Sequence, residues 1–400
     1  MTAAWYAGGG AAIDGVPLES EGDVGYVLAK IDAAGALVWS RSFGDSSQGG
    51  YLPLAIDAHN DIVMGVSFHG SVDLGDGAGA EAPGPAILIA KLDPAGFPLW
   101  ARSFPNDGLG ATVVEIAVDQ DGNVIFTGTI FPGSTLDFGA FQAAGDSFVA
   151  KLDPDGQPLW VRSFTGGQLE THTLATTPSG EVVLAGSVTG TMDFGGGPLV
   201  SAGGFDVFVA KLDGAGEHLW SRRFGDADLQ RASAVTVDAS GDVILAGTFF
   251  NAIDLGGGPL QSPGEHSPFV AKLDAHGEHV WSRRVPGAGS SLVSLGARPG
   301  GGVILAGSAY GPHDLGCGEV AVDPQEIHAF VAALDDGGAC IWERDMGAGA
   351  EQIVMEMGVG GAGRAAVAGS FVGTIDLGGS TVTSDGNDAF VTVIDPPCGP

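Results

Sequence analysis

The polar residue repeated most often in the chain is an aspartate in the tripeptide Asp-Leu/Phe-Gly. It stands at Asp73, Asp137, Asp193, Asp254, Asp314 and Asp376, with Asp14, in Ile-Asp-Gly, as a degenerate first copy. Each lies in a long, Gly- and Pro-rich connection between two strand-like segments. Carboxylates gathered on exposed loops suit a hard cation such as calcium, or a polar ligand. The same side chain can instead accept amide hydrogens of its own turn, and equal repetition favours that capping role, since a site usually breaks the symmetry of its scaffold. These six aspartates are the candidate ligand-binding residues. Calcium is the one cofactor they suggest.

Other constellations carry less. Asp119-Gln-Asp121-Gly122-Asn123 and Asp153-Pro-Asp155-Gly156 begin like calcium loops, but neither reaches the distal Glu of an EF-hand, and both read as hairpin turns. Gly358-Val-Gly360-Gly-Ala-Gly363 matches G-x-G-x-x-G in a segment with no helix to follow, so the phosphate-binding geometry is missing. His276 and His279 flank a turn and are expected to be solvated. His266 and His328 precede equivalent strands of adjacent repeats, each near a Glu (Glu265, Glu326), which is a sparse set for a metal. G-x-S-x-G, H-E-x-x-H and C-x-x-C do not occur, and no catalytic residue is assigned.

The elements that position these residues come from an internal repeat. Trp39, Trp100, Trp160, Trp220, Trp281 and Trp342 stand 60 or 61 residues apart, and each closes the pattern Asp-x-x-Gly-x-x-x-Trp, from Asp32/Gly35/Trp39 to Asp335/Gly338/Trp342. Four strand-like segments recur per unit. In residues 233–284 they are SAVTVD, DVILAGTF, FVAKLD and HVWSRR, short, alternating or β-branched, and bounded by turn residues. Asp first and Gly fourth in the last turn suit a type I turn. Four antiparallel strands repeated in series predict an all-β β-propeller, with a Trp of each outer hairpin packed between neighbouring blades. The single domain spans 1–400 in seven blades, 1–45, 46–105, 106–165, 166–225, 226–286, 287–347 and 348–400. The first lacks its first strand and the last its fourth. A six-bladed ring closed by the strand of Trp39, or a true start farther upstream, are the alternatives.

The lysines 30, 91, 151, 211 and 272 share one repeat position, and Arg41, Arg102, Arg162, Arg222, Arg283 and Arg344 follow each Trp by two. Most of the basic residues are thus placed by the repeat. They are expected to pair with repeated aspartates or to cover apolar surface, with blanks at Ala333 and Val393. Cys317 and Cys340 fall in one repeat at positions where no other repeat has Cys, which suggests a pair. Simple propeller topology puts them on opposite faces, so a bond requires the long connection to wrap the blade edge.

The AVTVDASGDVILAGTF hairpin (233–249 and its copies) and the FVAKLD…LWSRSFG hairpin resemble the bacterial seven-bladed beta-propeller repeat family of secreted and cell-surface proteins. The resemblance covers essentially the whole chain and implies the fold and an extracellular or cell-surface setting. Gly-x-x-x-Trp is also similar to the docking motif of quinoprotein propellers, although the Asp-to-Gly spacing is one residue short and the Thr before Gly is missing.

Composition limits the function. Of 400 residues, 48 are acidic and 16 basic, a net charge of -32, which argues against a nucleic-acid surface. No apolar run is long enough to span a bilayer as a helix, and MTAAWYAGGG lacks the basic and apolar regions of a signal peptide. With 44% hydrophobic residues, general disorder is not expected despite 69 Gly and 22 Pro. The reading that results is a non-catalytic extracellular propeller, a monomer or part of a longer chain, binding protein or polysaccharide through its long-loop face. The alternatives are a propeller enzyme (lyase, hydrolase or quinoprotein-like) with a site at the central opening, or a structural spacer in a larger surface protein.

Overall fold

The computed structural model describes residues 2–397 apart from 8–11, 14–15, 18–24, 33–35, 44–51, 76, 264–265, 286–290, 324, 348, 350, 362 and 378–380. Asp14, Glu265 and Cys398 therefore lie outside the described residues. Every regular element among the described residues is a strand. The chain divides into two units: Met1–Val182 with Met192–Pro198 and Leu212–His218, and Val183–Thr191 with Leu199–Lys211 and Leu219–Pro400.

In the first unit, Thr2–Ala7, Gly25–Ile31 and Leu37–Phe43 form a three-stranded sheet in chain order. Leu54–Ile56, Ile62–Gly75, Ala78–Leu92 and Pro98–Asp107 form the next repeat, and Ala111–Val118, Val124–Ile130, Ser147–Leu152 and Pro158–Phe164 the third, all antiparallel. The same order recurs at Gly167–Thr176, Val182–Asp193, Asp206–Leu212 and His218–Phe224. In the second unit it recurs at Gln230–Val237, Val243–Phe249, Ser267–Leu273 and His279–Arg284, and at Ser291–Ala297, Val303–Tyr310, Ile327–Leu334 and Cys340–Asp345. Three strands, Glu351–Val359, Ala365–Asp376 and Thr381–Ile394, complete it. Four-stranded antiparallel repeats in simple chain order, each about sixty residues long, are of propeller-blade type, as the periodicity predicts.

The core lies between the faces of consecutive sheets. Val63, Ile87 and Ile89 of the second repeat meet Val113, Ile116, Phe126 and Phe148 of the third in one buried cluster. In the second unit Ile304, Ala306 and Val331 meet Val354, Val367 and Phe390 in the same way. The central second and third strands are buried on both faces, which explains their near-continuous apolar runs, such as VILAGTF.

The Asp-x-x-Gly-x-x-x-Trp motif is a device for joining repeats. At Asp93 the carboxylate Oδ1 accepts the amides of Ala95 and Phe97 at 2.8 and 2.9 Å, and the Gly96 amide closes the turn onto the Asp93 carbonyl at 2.9 Å. The turn glycine has φ near +80° at Gly96, Gly156, Gly216, Gly277 and Gly338. Its missing side chain has a second use. A methyl group on Gly216 would lie 2.8 Å from the Trp160 ring, and one on Gly277 2.8 Å from Trp220. Trp39, Trp100, Trp160, Trp220 and Trp281 thus each lie on the turn glycine of the following repeat. The indole N–H donates to a carbonyl of that turn, Trp100 to Pro154 at 2.8 Å and Trp281 to Asp336 at 2.9 Å. A register shift between Lys151 and Leu152, opposite Trp160 and Pro158, leaves Leu159 as the extra residue of a bulge. The residues before the six tryptophans, Val38, Leu99, Leu159, Leu219, Val280 and Ile341, are all exposed.

Candidate functional site

The connections between second and third strands fold back as arms. Ala252–Asp254 pairs with Pro259–Gln261, and Thr135–Asp137 with Gln142–Ala144. Each arm is anchored by the side chain before its aspartate: Val72, Leu136, Met192, Ile253 and Ile375 are buried. The aspartate itself turns outward. Its Oδ1 accepts the amide two residues on: Gly75 on Asp73 at 2.8 Å, Gly139 on Asp137 at 2.7 Å, Gly195 on Asp193 at 2.7 Å, Gly256 on Asp254 at 2.8 Å and Gly316 on Asp314 at 2.6 Å. Asp193, Asp254 and Asp314 also accept the amide four residues on. Asp376 faces Arg344 at 4.0 Å. The six carboxylates are presented one per arm; among the described residues no three acidic, His or Cys ligand atoms gather around any of them.

The arms of the fourth and fifth repeats reach the far end of their own sheets. A methyl group on Gly196 would fall 2.0 Å from the His218 ring, and one on Gly257 2.2 Å from the His279 ring, so each arm turn lies on the first residue of its fourth strand. His279 is therefore half-buried, with its Nε2 3.0 Å from Ser282 Oγ, and not solvated as its turn position suggests; His276 is exposed. In the sixth repeat the same two positions are Cys317 and Cys340, and they form a disulfide, Cα to Cα 5.4 Å. The arm supplies the wrap around the sheet that this bond requires.

The lysines are structural. Lys91 Nζ lies 2.7 Å from Asp57 and 3.2 Å from Asp61; Lys151 lies 2.9 Å from Asp119; Lys272 lies 2.8 Å from Asp238, 3.1 Å from Asp242 and against Asp336. Burial opposes the charge on Lys91 and Lys272, but hydrogen bonds to these carboxylates outweigh it and hold both ammonium groups above their usual range. Burial likewise opposes ionisation of Asp57 and Asp119. The bonds from Lys91 and neighbouring amides, and from Asn123 and Lys151, nonetheless keep the two carboxyls below their usual range. Where the lysine is replaced by Ala333, the acid at the end of the first strand is replaced by Arg298, so cation and partner disappear together. The arginines bind the next turn: Arg162 donates to the Gly216 and Ala215 carbonyls, and Arg222 pairs with Glu278 at 2.7 Å.

The one group of three possible metal ligands among the described residues is Asp57, His59 and Asp61. The Lys91 ammonium already lies between its carboxylates, in the place a cation would take. His266 packs on Phe250, with ring centroids 5.6 Å apart, and neither it nor His328 belongs to a group of three possible metal ligands among the described residues. His328 bridges Asp345 through Nδ1 at 3.0 Å and Glu326 through Nε2 at 3.2 Å.

Two sites that the motifs do not announce appear in the folded chain. In the sixth repeat His313 takes the buried anchor position of the arm, with its Nε2 2.9 Å from Glu343 Oε1; the two side chains are 0% and 3% exposed. Aligning the repeats exposes this pair, because His313 stands where the others have Val, Leu, Met or Ile, and Glu343 where they have Ser40, Ala101, Val161, Ser221 and Ser282. Glu356, in the first strand of the last repeat, accepts from Ser294 Oγ at 3.0 Å and from the Met357 amide at 3.1 Å. Glu356 is exposed over part of its surface, but partial desolvation by the protein beside it raises its pKa above the usual value, against the pull of those two donors.

No family model matches the chain. Over 160 residues it is 24% identical to an uncharacterized WD repeat-containing protein of Acanthamoeba polyphaga mimivirus. The match covers 34% of this chain and 11% of the viral protein, so the chain spans a small part of that relative's length. Similar solved structures include a protein of unknown function from Bacteroides caccae (12% identity, 80% of this chain and 89% of that one, TM-score 0.43). An ulvan lyase of a new polysaccharide lyase family is also similar (11%, 86% and 84%, TM-score 0.49), as is a gluconolactonase from Xanthomonas campestris (14%, 86% and 86%, TM-score 0.38). By its strand order and its Trp-on-glycine junctions, the chain is an all-β repeat protein of propeller-like sheets.

Proposed function

We propose that the chain is a seven-bladed β-propeller of the bacterial seven-bladed repeat kind, working as a non-catalytic interaction module for a protein or polysaccharide at the cell surface. The observation that carries this reading is the arm. The longest connection of a repeat folds back as a hairpin, separate from the sheet in the third and fifth repeats and continuous with it in the second and seventh, with a buried side chain as anchor and an aspartate turned outward beside it. Rigidly based loops that repeat one chemistry suit a partner contacted at several points. The disulfide of the sixth repeat fits an oxidising, extracellular setting.

The test is binding of defined envelope polysaccharides and purified envelope proteins to the immobilised chain. Asparagine at 73, 137, 193, 254, 314 and 376 keeps the turn-capping oxygen and removes the charge. Saturable binding weakened about tenfold or more by these changes, with an unchanged melting midpoint, is expected. Equal binding by both forms would remove the arms from the interface.

A second reading, a propeller enzyme, is favoured by Glu356. A carboxyl with a raised pKa, oriented by Ser294 from the neighbouring first strand, is suited to donate a proton. Release of new reducing or unsaturated ends from a polysaccharide, lost in Glu356→Gln, would support it over the binding role.

A further inference from the structure

We propose that the Cys317–Cys340 disulfide is a redox-operated latch, holding the arm of the sixth repeat closed over the His313–Glu343 pair. Three consecutive arms make the same contact with the start of their fourth strands. In two of them it is glycine on imidazole, Gly196 on His218 and Gly257 on His279; in the third it is covalent.

The arm that carries the bond keeps a buried Leu315, whose carbonyl accepts from Arg283 at 2.7 Å, but it has fewer strand pairs than the arm before it. Its counterpart in the fifth repeat has a three-pair ladder, Ala252↔Gln261, Ile253↔Leu260 and Asp254↔Pro259, over the buried Ile253 and Leu255. The sixth arm has the single bridge His313↔Val320. Its anchor is an imidazole in place of an aliphatic side chain, facing a carboxylate in place of Ser282. Nε2 and Oε1 lie 2.9 Å apart, yet none of the polar atoms of the two side chains makes a hydrogen bond among the described residues. Burying such a pair costs far more than burying Ile253 against a serine, and opening the arm returns both groups to water. The bond opposes that opening.

Cys317 is exposed and can be reached by a reductant. A thiolate of a protein or small-molecule dithiol attacks one sulfur of the bond, forming a mixed disulfide and releasing the other cysteine as a thiol. The second thiol of the reductant then displaces the remaining cysteine. Two electrons and two protons pass to Cys317 and Cys340, and the dithiol leaves as its own disulfide.

The experiment is hydrogen exchange with mass spectrometry on the full chain, oxidised and after reduction by a dithiol, with carbethoxylation of histidines read by peptide mapping. Amides of residues 311–323 are expected to exchange about tenfold faster or more after reduction, while Ala252–Gln261 of the fifth repeat keep their rates. His313 is expected to become reactive only in the reduced protein. Cys317→Ser with Cys340→Ser should behave as the reduced chain. His313→Ile with Glu343→Ser, which restores the residues of the fifth repeat, should keep the arm protected even when reduced. Unchanged exchange on reduction, or equal loosening of both arms, would overturn the latch. An arm that opens as widely in the Ile/Ser variant would overturn the role given to the buried pair.

Discussion

At the scale of single residues, the same few atoms serve two neighbours at once. Gly216 gives its turn a left-handed residue and leaves room for the Trp160 ring, so Gly216→Ala meets both a backbone and a contact penalty. We expect a loss above about 1 kcal/mol, read from the denaturant midpoint. Trp160→Ala removes a ring that is 6% exposed together with its bond to the Gly214 carbonyl at 3.0 Å, and should cost about 3–5 kcal/mol in the same measurement. Lys272→Met leaves Asp238 and Asp242 facing each other without their cation, both largely buried. Breaking such a pair costs about 3–5 kcal/mol, so the variant should unfold at a clearly lower denaturant concentration, and a wild-type midpoint would deny the cluster its structural role.

At the scale of elements, the ion cluster ties the end of the first strand to the third within one sheet. The repeats of Lys91, Lys151, Lys211 and Lys272 have an acid or Thr177 at the end of the first strand, whereas those of Ala333 and Val393 have Arg298 and Gly360 at that position. The pairing is therefore portable. Ala333→Lys alone buries an ammonium beside Arg298 and should destabilise by several kcal/mol. Adding Arg298→Asp should recover at least about half of that loss, as a double-mutant cycle would measure. Additive effects would mean that the two strand positions do not meet. The bulge is the other device at this scale. It turns each Trp toward the following repeat and leaves an aliphatic neighbour outside, which accounts for six of the exposed apolar side chains without calling on a partner.

At the scale of the whole molecule, the buried ion pairs set a pH window. Asp57 and Asp119 titrate below 3.8 in the folded chain, so their contribution is complete above that pH and is lost as pH falls through the folded values. Lys91 and Lys272 titrate above 10.5, so theirs is complete below that pH and is lost as pH rises through the folded values. These pairs by themselves give a plateau of melting midpoint between these limits. Glu356 acts in the opposite sense to the aspartates. Its raised value favours the protonated folded form, so its contribution is present below 4.5 and lost as pH rises. Glu356→Gln should raise the midpoint near pH 7 and leave it unchanged near pH 3. Melting in EDTA and in millimolar calcium should give the same midpoint, because Asp73, Asp137, Asp193, Asp254 and Asp314 cap their own turns and Lys91 lies between Asp57 and Asp61. A calcium-dependent rise would make the arms a cation site.

The sequence by itself determined the strands, their order and the turns. Strand alternation, Asp-x-x-Gly punctuation and a Trp every 60 or 61 residues are local or periodic signals, and local backbone preference decides such elements. The capping by aspartates and the pairing of lysines could be read for the same reason. Tertiary structure alone decided where the arms go. That path brings Cys317 to Cys340 and His313 to Glu343, residues 23 and 30 positions apart whose meeting depends on how a long connection folds back over its own sheet. Turn residues fix the ends of such a connection, but its course is selected by what it can bury, and burial is a property of surfaces that exist only once the strands have paired.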